Sequence, residues 1–298
     1  MSAFLLWMAL LGLYGRLQAN LGYLALAQAH PQEAARHFQS AIALDEHLAC
    51  AWRGYGMALS ATGDGRSALR AYEAALALAP DDALSRLHRA DARLTLGDEA
   101  GAIADWQSAH AAALLLRRGH RALAGDDLEA AIAAYELAVR VAPEDWRGYH
   151  YLAAALTAKG MLPEAAARLR QGLSQAPDSK LLFALGRNEY ALGRYAEAIE
   201  ALSRYIERFP QDLRGWYWRG MAYEKMCRPS AAIADYEAAI ARAPDDANPH
   251  LALARLLERS GDRESALREY RAVLTLLPEH AESQRAIERL TLPAPGRP

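Results

Sequence analysis

The sequence lacks the motifs that carry most enzyme chemistry. Its 298 residues contain no G-x-S-x-G nucleophile elbow, no H-E-x-x-H zinc motif, no G-x-x-x-x-G-K-[ST] phosphate loop and no C-x-x-C pair. The nine histidines show no metal-ligand spacing. The sequence therefore predicts a protein that is not an enzyme and that uses neither a metal nor a cofactor.

The sequence also contains few cysteines and has a small net charge. Cys50 and Cys227 are the two cysteines, and they lie far apart along the chain. We therefore expect free thiols in a reducing compartment, which points to the cytoplasm. The net charge of −2 provides no overall field that attracts nucleic acid. A nucleic-acid partner is thus not expected.

Long apolar runs are missing too, with one short exception at the amino terminus. Residues 3–14 are apolar on every side, but Arg16, Gln18 and Asn20 end the run before the length of about 20 residues that spans a bilayer. Three alternatives remain open for this segment: a short anchor that associates with membranes, a helix packed on the first repeat or on a partner, and a cleaved signal. The lack of a basic amino-terminal region argues against the signal.

What the sequence does contain is a repeat of about 34 residues. A small residue recurs at Ala34, Ala68, Ala102, Ala131, Ala165, Ala198, Ala232 and Ala266. Four residues after each comes a large apolar residue: Phe38, Tyr72, Trp106, Tyr135, Leu169, Leu202, Tyr236 and Tyr270. Two helices approach closely only where a small residue lies at their crossing, and the large residue fills the adjacent gap. The pattern predicts an array of stacked helices whose aromatic residues form the core.

Each unit is predicted to be a pair of helices. In the second unit, Trp52, Tyr55 and Leu59 share one helical face, a glycine-containing turn follows, and the next helix continues to Pro80. The turn within the pair carries Gly63, Gly97, Gly125, Gly160, Gly193 and Gly261. The break between pairs carries Pro80, Pro143, Pro177, Pro210, Pro244 and Pro278.

This pattern resembles the tetratricopeptide repeat (TPR) family, whose unit is a helix–turn–helix of about 34 residues. Trp216–Arg219–Gly220–Tyr223 carry the first half of its motif, and Ala232–Tyr236–Ala239–Pro244 carry the second. The resemblance implies an all-α TPR solenoid, a right-handed superhelix of about eight units over residues 15–278. A capping helix is expected at 279–290 and a disordered tail at 291–298. The units start near Gly15, Ala49, Ala83, Ala112, Trp146, Ser179, Leu213 and Ala247.

One junction departs from the family pattern. Ala102 and Ala131 are 29 residues apart, and the proline that ends the other pairs is missing between them. The region around residues 109–119 is therefore shorter than its counterparts. Either the array kinks here or the second helix of the third unit is shortened.

The resemblance also implies that the first helix of each unit lines the concave face. Positions 2, 5, 6, 9, 12 and 13 of the eight units carry ten basic and three acidic residues, which leaves 24 basic and 33 acidic residues elsewhere. Arginine together with tyrosine and tryptophan is the composition of binding hot spots. The sequence thus predicts a scaffold or adaptor that binds a partner protein, or an extended acidic peptide, in a basic and aromatic groove.

The expected partner-binding residues lie in or beside these columns: Arg53, Arg117, His120, Arg147, His150, Tyr151, Arg187, Asn188, Arg214, Tyr217, Trp218 and Arg255. The alternative function is that of an accessory subunit in a membrane-associated enzyme complex for polysaccharide, glycosyl-transfer or envelope assembly. In that case residues 3–14 tether the protein to the membrane.

Overall fold

The computed structural model describes residues 2–291, and this range contains seventeen α-helices and no β-strand. The chain folds into two compact units, Met1–Ala142 and Pro143–Pro298. The first unit contains α1 (Ser2–Ala27), α2 (Pro31–Leu44), α3 (Ala49–Ala61), α4 (Gly65–Leu78), α5 (Ala83–Thr95), α6 (Glu99–Ser108), α7 (Ala112–Ala124) and α8 (Leu128–Val141). The second contains α9 (Trp146–Ala158), α10 (Leu162–Gln175), α11 (Ser179–Ala191), α12 (Tyr195–Arg208), α13 (Leu213–Lys225), α14 (Pro229–Arg242), α15 (Ala247–Arg259), α16 (Arg263–Leu276) and α17 (Ala281–Thr291).

Within each unit the helices form successive pairs, and each second helix packs on the first helix of the next pair, except for α6, which packs on α5 and α8. The first helices after α1 begin at the residues that the repeat pattern predicts, from Ala49 to Ala247. The all-α repeat architecture expected from the sequence is confirmed. The exposed side chains of the first helices therefore occupy equivalent positions from one pair to the next.

The two repeat columns form the core. All eight alanines of the small-residue column are fully buried, and so are the eight large residues that follow them by four positions. The close approach is visible at Gly54, where an added Cβ would lie 2.2 Å from the Phe38 ring. At Gly119 an added Cβ would lie 2.2 Å from the Tyr135 ring. The burial of these two columns explains why each small residue is followed, four positions later, by a large one.

The turns inside the pairs require a left-handed residue. Gly63, Gly97, Gly160, Gly193 and Gly261 have φ values between 75° and 88°. In the fourth pair the left-handed residue is Asp126 rather than Gly125, whose φ is −92°. In the seventh pair Cys227 takes this conformation with a φ of 57°, and its side chain is exposed.

The shortened junction lies at the end of α6. This helix has ten residues, whereas the second helices of the other pairs have fourteen. Three residues connect α6 to α7, whereas four connect α4 to α5. The two differences together give the five residues by which the spacing is reduced. The core column is preserved, because Ala102 and Trp106 remain in α6 and are fully buried.

The first helix extends through the apolar amino-terminal segment. α1 runs without a break from Ser2 to Ala27, so residues 3–14 and the start of the first repeat belong to one helix. Its inner side packs on α2 and α3 through Gly15, Ala19 and Gly22. Of the helices in residues 2–291, none combines the length and the apolar character that crossing a bilayer requires.

The last helix covers the end of the array. α17 packs on α16, and its Ala286 belongs to the buried cluster that contains Tyr270 and Leu253. Terminal repeats expose an apolar face unless such a helix covers it. The tail expected to be disordered, 291–298, lies outside the described residues except for Thr291, which ends α17.

Candidate functional site

Three first helices of the second unit lie side by side. α11 contacts both α9 and α13, so the exposed side chains of these helices share one surface. We call the side chains at positions 2, 5, 6, 9, 12 and 13 of α9, α11, α13 and α15 the groove face. It carries most of the residues that the sequence predicts for partner binding.

A pocket of about 530 Å³ opens between α9, α11 and α13. Its walls are largely apolar, because small side chains leave the space and Leu169 closes the floor. The small residues are Ala153, Ala154, Ala184 and Ala191. His150, Arg187, Asn188 and Trp218, all predicted for partner binding, line this pocket, which we call the Arg187 pocket. Its size and lining suit an apolar side chain with polar groups at the edge.

Two buried polar atoms in the Arg187 pocket have no hydrogen-bond partner within the described residues. Asn188 is only 4% exposed; its Nδ2 donates to Thr157 Oγ1 at 3.2 Å, while its Oδ1 accepts no hydrogen bond. The buried Nδ1 of His150 is also unpaired. Burial lowers the pKa of His150, and the nearby Lys180 lowers it further, so the imidazole is neutral at pH 7. Unpaired buried polar atoms cost free energy.

Arg187 lies at the rim of the pocket and is held by aromatic rings. Its guanidinium carbon lies 4.9 Å from the centre of the Trp218 ring and 5.8 Å from that of Phe183. Trp218 in turn meets Tyr190 edge to face at 5.5 Å. No carboxylate of the described part of this unit forms an ion pair with Arg187. The positive charge is therefore positioned by stacking and is not neutralised by the chain itself.

Two other groove arginines are neutralised by the residues that cap their own helices. Asp145 and Asp212 precede α9 and α13 and accept the backbone N–H of the residue two positions later. The same carboxylates pair with the side chains of those residues, Arg147 at 2.8 Å and Arg214 at 2.6 Å. These two arginines offer hydrogen-bond donors to a ligand but little net positive charge.

The cap of α13 is reinforced by a tyrosine. Tyr205 donates a hydrogen bond from its hydroxyl to Asp212 Oδ2 at 2.6 Å. The hydrogen bonds from Arg214, together with that from Tyr205, lower the pKa of Asp212 to about 2. Burial, and then the adjacent carboxylate, raise the pKa of Tyr205 to about 12. The carboxylate is thus fixed in its charged form, and Arg214 remains held against it.

The remaining predicted residues of this unit lie on either side of the Arg187 pocket. Arg255 on α15 is paired with Glu282 of α17. Tyr217 lies between the rings of Trp218 and Tyr236, with centroid distances of 6.4 Å and 6.0 Å. Tyr151 contacts the His150 ring at 5.4 Å. The pocket therefore continues into an aromatic surface rather than into a row of free cations.

In the first unit the predicted residues do not form a comparable pocket within the described range. Arg53 is half-buried and forms an ion pair with Asp82 at 2.7 Å. Arg117 is exposed on α7. His120, on the same helix, meets Tyr135 at 5.7 Å between ring centres. Among residues 2–291, no group of three or more His, Cys, Asp or Glu side chains is placed to hold a metal ion.

Three residues of the pocket and its rim are absent from the residues predicted for partner binding. Phe183, Tyr190 and Thr157 hold Arg187, support Trp218 and accept from Asn188, respectively. The repeat columns contain the signal for them, since each occupies position 5 or 12 of its unit. The capping aspartates were harder to identify, because their role at the helix start hides their second role as partners of arginine.

The comparison with known families agrees with this architecture. The tetratricopeptide repeat family matches residues 56–114, 116–180 and 183–247, which is more than half of the chain. The chain therefore belongs to the tetratricopeptide repeat family. TPR folds support protein-interaction scaffolds in general.

Individual relatives share the repeats over part of the chain. Protein FlbA of Caulobacter vibrioides is 31% identical over 197 residues, which are 66% of this chain but only 28% of FlbA. The structure of MamA from Desulfovibrio magneticus superposes with a TM-score of 0.53 at 20% identity, over 57% of this chain and 96% of that one. PilF of Pseudomonas aeruginosa gives a TM-score of 0.53 at 20% identity, over 61% and 83%. At this level of identity the two structures share the fold with this chain.

Proposed function

We propose that the groove face of the second unit binds an extended segment of a partner protein, with one acidic side chain at Arg187 and an apolar side chain in the adjoining pocket. The observation that supports this proposal is that the Arg187 guanidinium, which is stacked on aromatic rings and has no carboxylate partner, lies beside an apolar pocket. Guanidinium groups bind carboxylates in a bidentate manner, and stacking fixes the plane of the group in advance.

The pocket and its rim suit an extended segment. An extended segment presents N–H and C=O groups that secondary structure does not occupy. The unpaired Asn188 Oδ1 and His150 Nδ1 are buried in the pocket wall, so they pair with such a group only when a side chain of the wall moves. The apolar side chain of the ligand supplies affinity through burial.

Among the groove-face arginines, Arg187 is the point at which we propose an acidic side chain, and the ammonium of Lys180 lies over the Trp146 ring at 4.5 Å. Arg147, Arg214 and Arg255 are each paired with a carboxylate of this chain, so a second or third acidic side chain would have to displace that carboxylate. Such a displacement leaves Asp145, Asp212 or Glu282 without its partner and costs free energy. The proposed ligand therefore carries one acidic residue with apolar or aromatic residues beside it.

The experiment is a selection of peptides on the purified protein, followed by affinity measurements on variants. We expect the selected peptides to share one acidic residue next to an apolar residue. Trp218→Ala should weaken binding by about 30-fold or more, as for a hot-spot residue, and Arg187→Glu by about 100-fold, since it adds repulsion to the lost ion pair.

The control variants are Arg204→Glu and Glu200→Lys, which change exposed charges on α12 and should leave the affinity unchanged. Selected peptides without an acidic residue would contradict the proposal. So would full affinity in both Arg187→Glu and Trp218→Ala.

The second candidate function is that of an accessory subunit of a membrane-associated enzyme complex. The observation in its favour is that Trp7, Leu10 and Leu13 of α1 are more than half exposed. Membrane association through residues 3–14 predicts that the protein stays with the membrane fraction after a salt wash. Deletion of residues 1–14 should then release it, while the repeats remain folded because Ala19 and Ala25, the α1 residues of the first core cluster, follow the deleted segment.

A further inference from the structure

The outer side of α1 carries an apolar stripe with a regular spacing. Trp7, Leu10, Tyr14, Leu17, Leu21 and Leu24 follow one another at intervals of three and four residues, and each is between 36% and 58% exposed. We call these six residues the α1 stripe. They lie on the side of α1 opposite to the glycines and alanines that pack on α2 and α3.

This spacing is that of a coiled-coil seam. Apolar residues that repeat every 3.5 residues occupy the a and d positions of a heptad, where they insert between the side chains of a facing helix. An apolar stripe with this spacing also suits the surface of a bilayer. Arg16 and Asn20 are exposed on the part of α1 that follows residue 14. What favours a second helix as the occupant is the way in which the stripe residues match one another.

The stripe is complementary to itself when two copies lie antiparallel. In that arrangement Trp7 faces Leu24, Leu10 faces Leu21, and Tyr14 faces Leu17. Each aromatic residue thus faces a leucine of the other copy, which avoids placing two large rings against each other at one level. Leu13, which is 67% exposed, extends the apolar surface on one side. No charged residue lies in the stripe, so neither copy brings an unpaired charge into the contact.

We infer that two copies of this protein associate through an antiparallel pairing of their α1 stripes. The area agrees with a specific interface. The exposed parts of the stripe and Leu13 amount to about 750 Å² per copy, so two copies would bury at most about 1,500 Å², within the range of about 1,200–2,000 Å² found for stable complexes. The interface is isologous, since the same residues contribute from both sides. The inference uses only α1 and does not depend on the groove face.

The first test is the mass of the full chain in solution without lipid. Analytical ultracentrifugation should give twice the mass of one chain at micromolar concentration. A protein that remains monomeric up to about 100 μM would overturn the inference, because a standard-size apolar interface gives tighter association than that.

The second test separates the antiparallel pairing from other arrangements. The double variant L10K/L21K places like charges opposite each other and should raise the dimer dissociation constant by at least about 100-fold. L10K/L21E places opposite charges face to face in the antiparallel pair only, and should remain within about tenfold of the parent. A parallel pair would be disrupted by both variants. Leu84→Lys is the control, because Leu84 on α5 is 52% exposed and lies outside the stripe.

The remaining outcomes also decide the question. If the L10K/L21K variant still forms the dimer, the dimer uses another surface. If L10K/L21K and L10K/L21E have the same raised dissociation constant, the antiparallel pairing is excluded. Flotation with vesicles of phosphatidylcholine and phosphatidylglycerol tests the lipid alternative. A monomeric parent that floats, and that loses flotation in L10K/L21K, would assign the stripe to a membrane surface and overturn the inference.

Discussion

Replacement of Asp212 by asparagine tests whether the cap of α13 also neutralises Arg214. Asparagine caps helices about as well as aspartate, so Asp212→Asn keeps the acceptor for the Arg214 N–H and removes the charge. The shift of the Asp212 pKa from 3.8 to about 2 corresponds to about 2–3 kcal/mol at about 1.4 kcal/mol per unit. The side chain of Arg214 is 61% exposed, so solvent screening reduces the expected loss of stability to about 1 kcal/mol.

The sign of the pH dependence follows from the lowered pKa. Because folding lowers the pKa of Asp212, its stabilisation is complete above the unfolded value of 3.8 and is lost as the pH falls through about 2. The difference in unfolding free energy between parent and Asp212→Asn should therefore be about half as large at pH 3 as at pH 7.

Urea unfolding at pH 7 and pH 3, combined with a double-mutant cycle with Arg214→Gln, measures both quantities. We expect a coupling energy of about 1 kcal/mol between the two positions at pH 7. A coupling energy of zero, together with an unchanged difference at pH 3, would refute the pairing. Arg214 would then act as a free cation of the groove face.

Three further predictions concern the core. Trp106→Ala should lower the free energy of unfolding by about 3–5 kcal/mol, since the ring is fully buried; calorimetry measures this, and an unchanged midpoint would contradict the assigned core column. Ala232→Leu should cost about 1–3 kcal/mol, because it overpacks a fully buried crossing, and thermal unfolding of this variant is the measurement. Gly54→Ala should lower the free energy of unfolding, because its Cβ would lie 2.2 Å from Phe38. Gly12→Ala, whose Cβ meets nothing within 4 Å, should instead stabilise α1 by up to about 1 kcal/mol. Urea midpoints that move in the same direction for both variants would argue against the close approach at Gly54.

The repeat columns made most of the fold predictable from the sequence. A period fixes the face of each helix, so Ala68 and Tyr72 could be assigned to the core without reference to their neighbours in space. The exceptions are local. Asp126 lies five residues before Ala131, in the column that Gly63 and Gly97 occupy in their units, and Gly125 lies one position before that column. The sequence also did not show that α1 continues through residue 14, because the hydrophobicity of an apolar segment does not determine whether it extends the helix that follows.

The groove face was less predictable, because charge compensation depends on partners outside the columns. The columns assign Arg147 and Arg214 to the groove face, but they do not show that Asp145 and Asp212 reach the same side chains. Arg187 has no such cap beside it, since it lies in the third turn of its helix. A count of charges by column thus overestimates the positive charge that the surface offers to a ligand.

The short helix α6 has a consequence for how the chain tolerates changes in length. Four of the five missing residues are removed from the carboxyl end of a second helix, beyond Ala102 and Trp106, and the fifth from the connection to α7. The end of a second helix is therefore a site where a deletion preserves the core columns, although α6 then packs on α5 and α8 and loses most of the contact with the next first helix that the other second helices make. A reporter peptide or an affinity tag introduced at 109–111 would be accommodated there, whereas the same insertion next to Ala102 would disrupt a helix crossing.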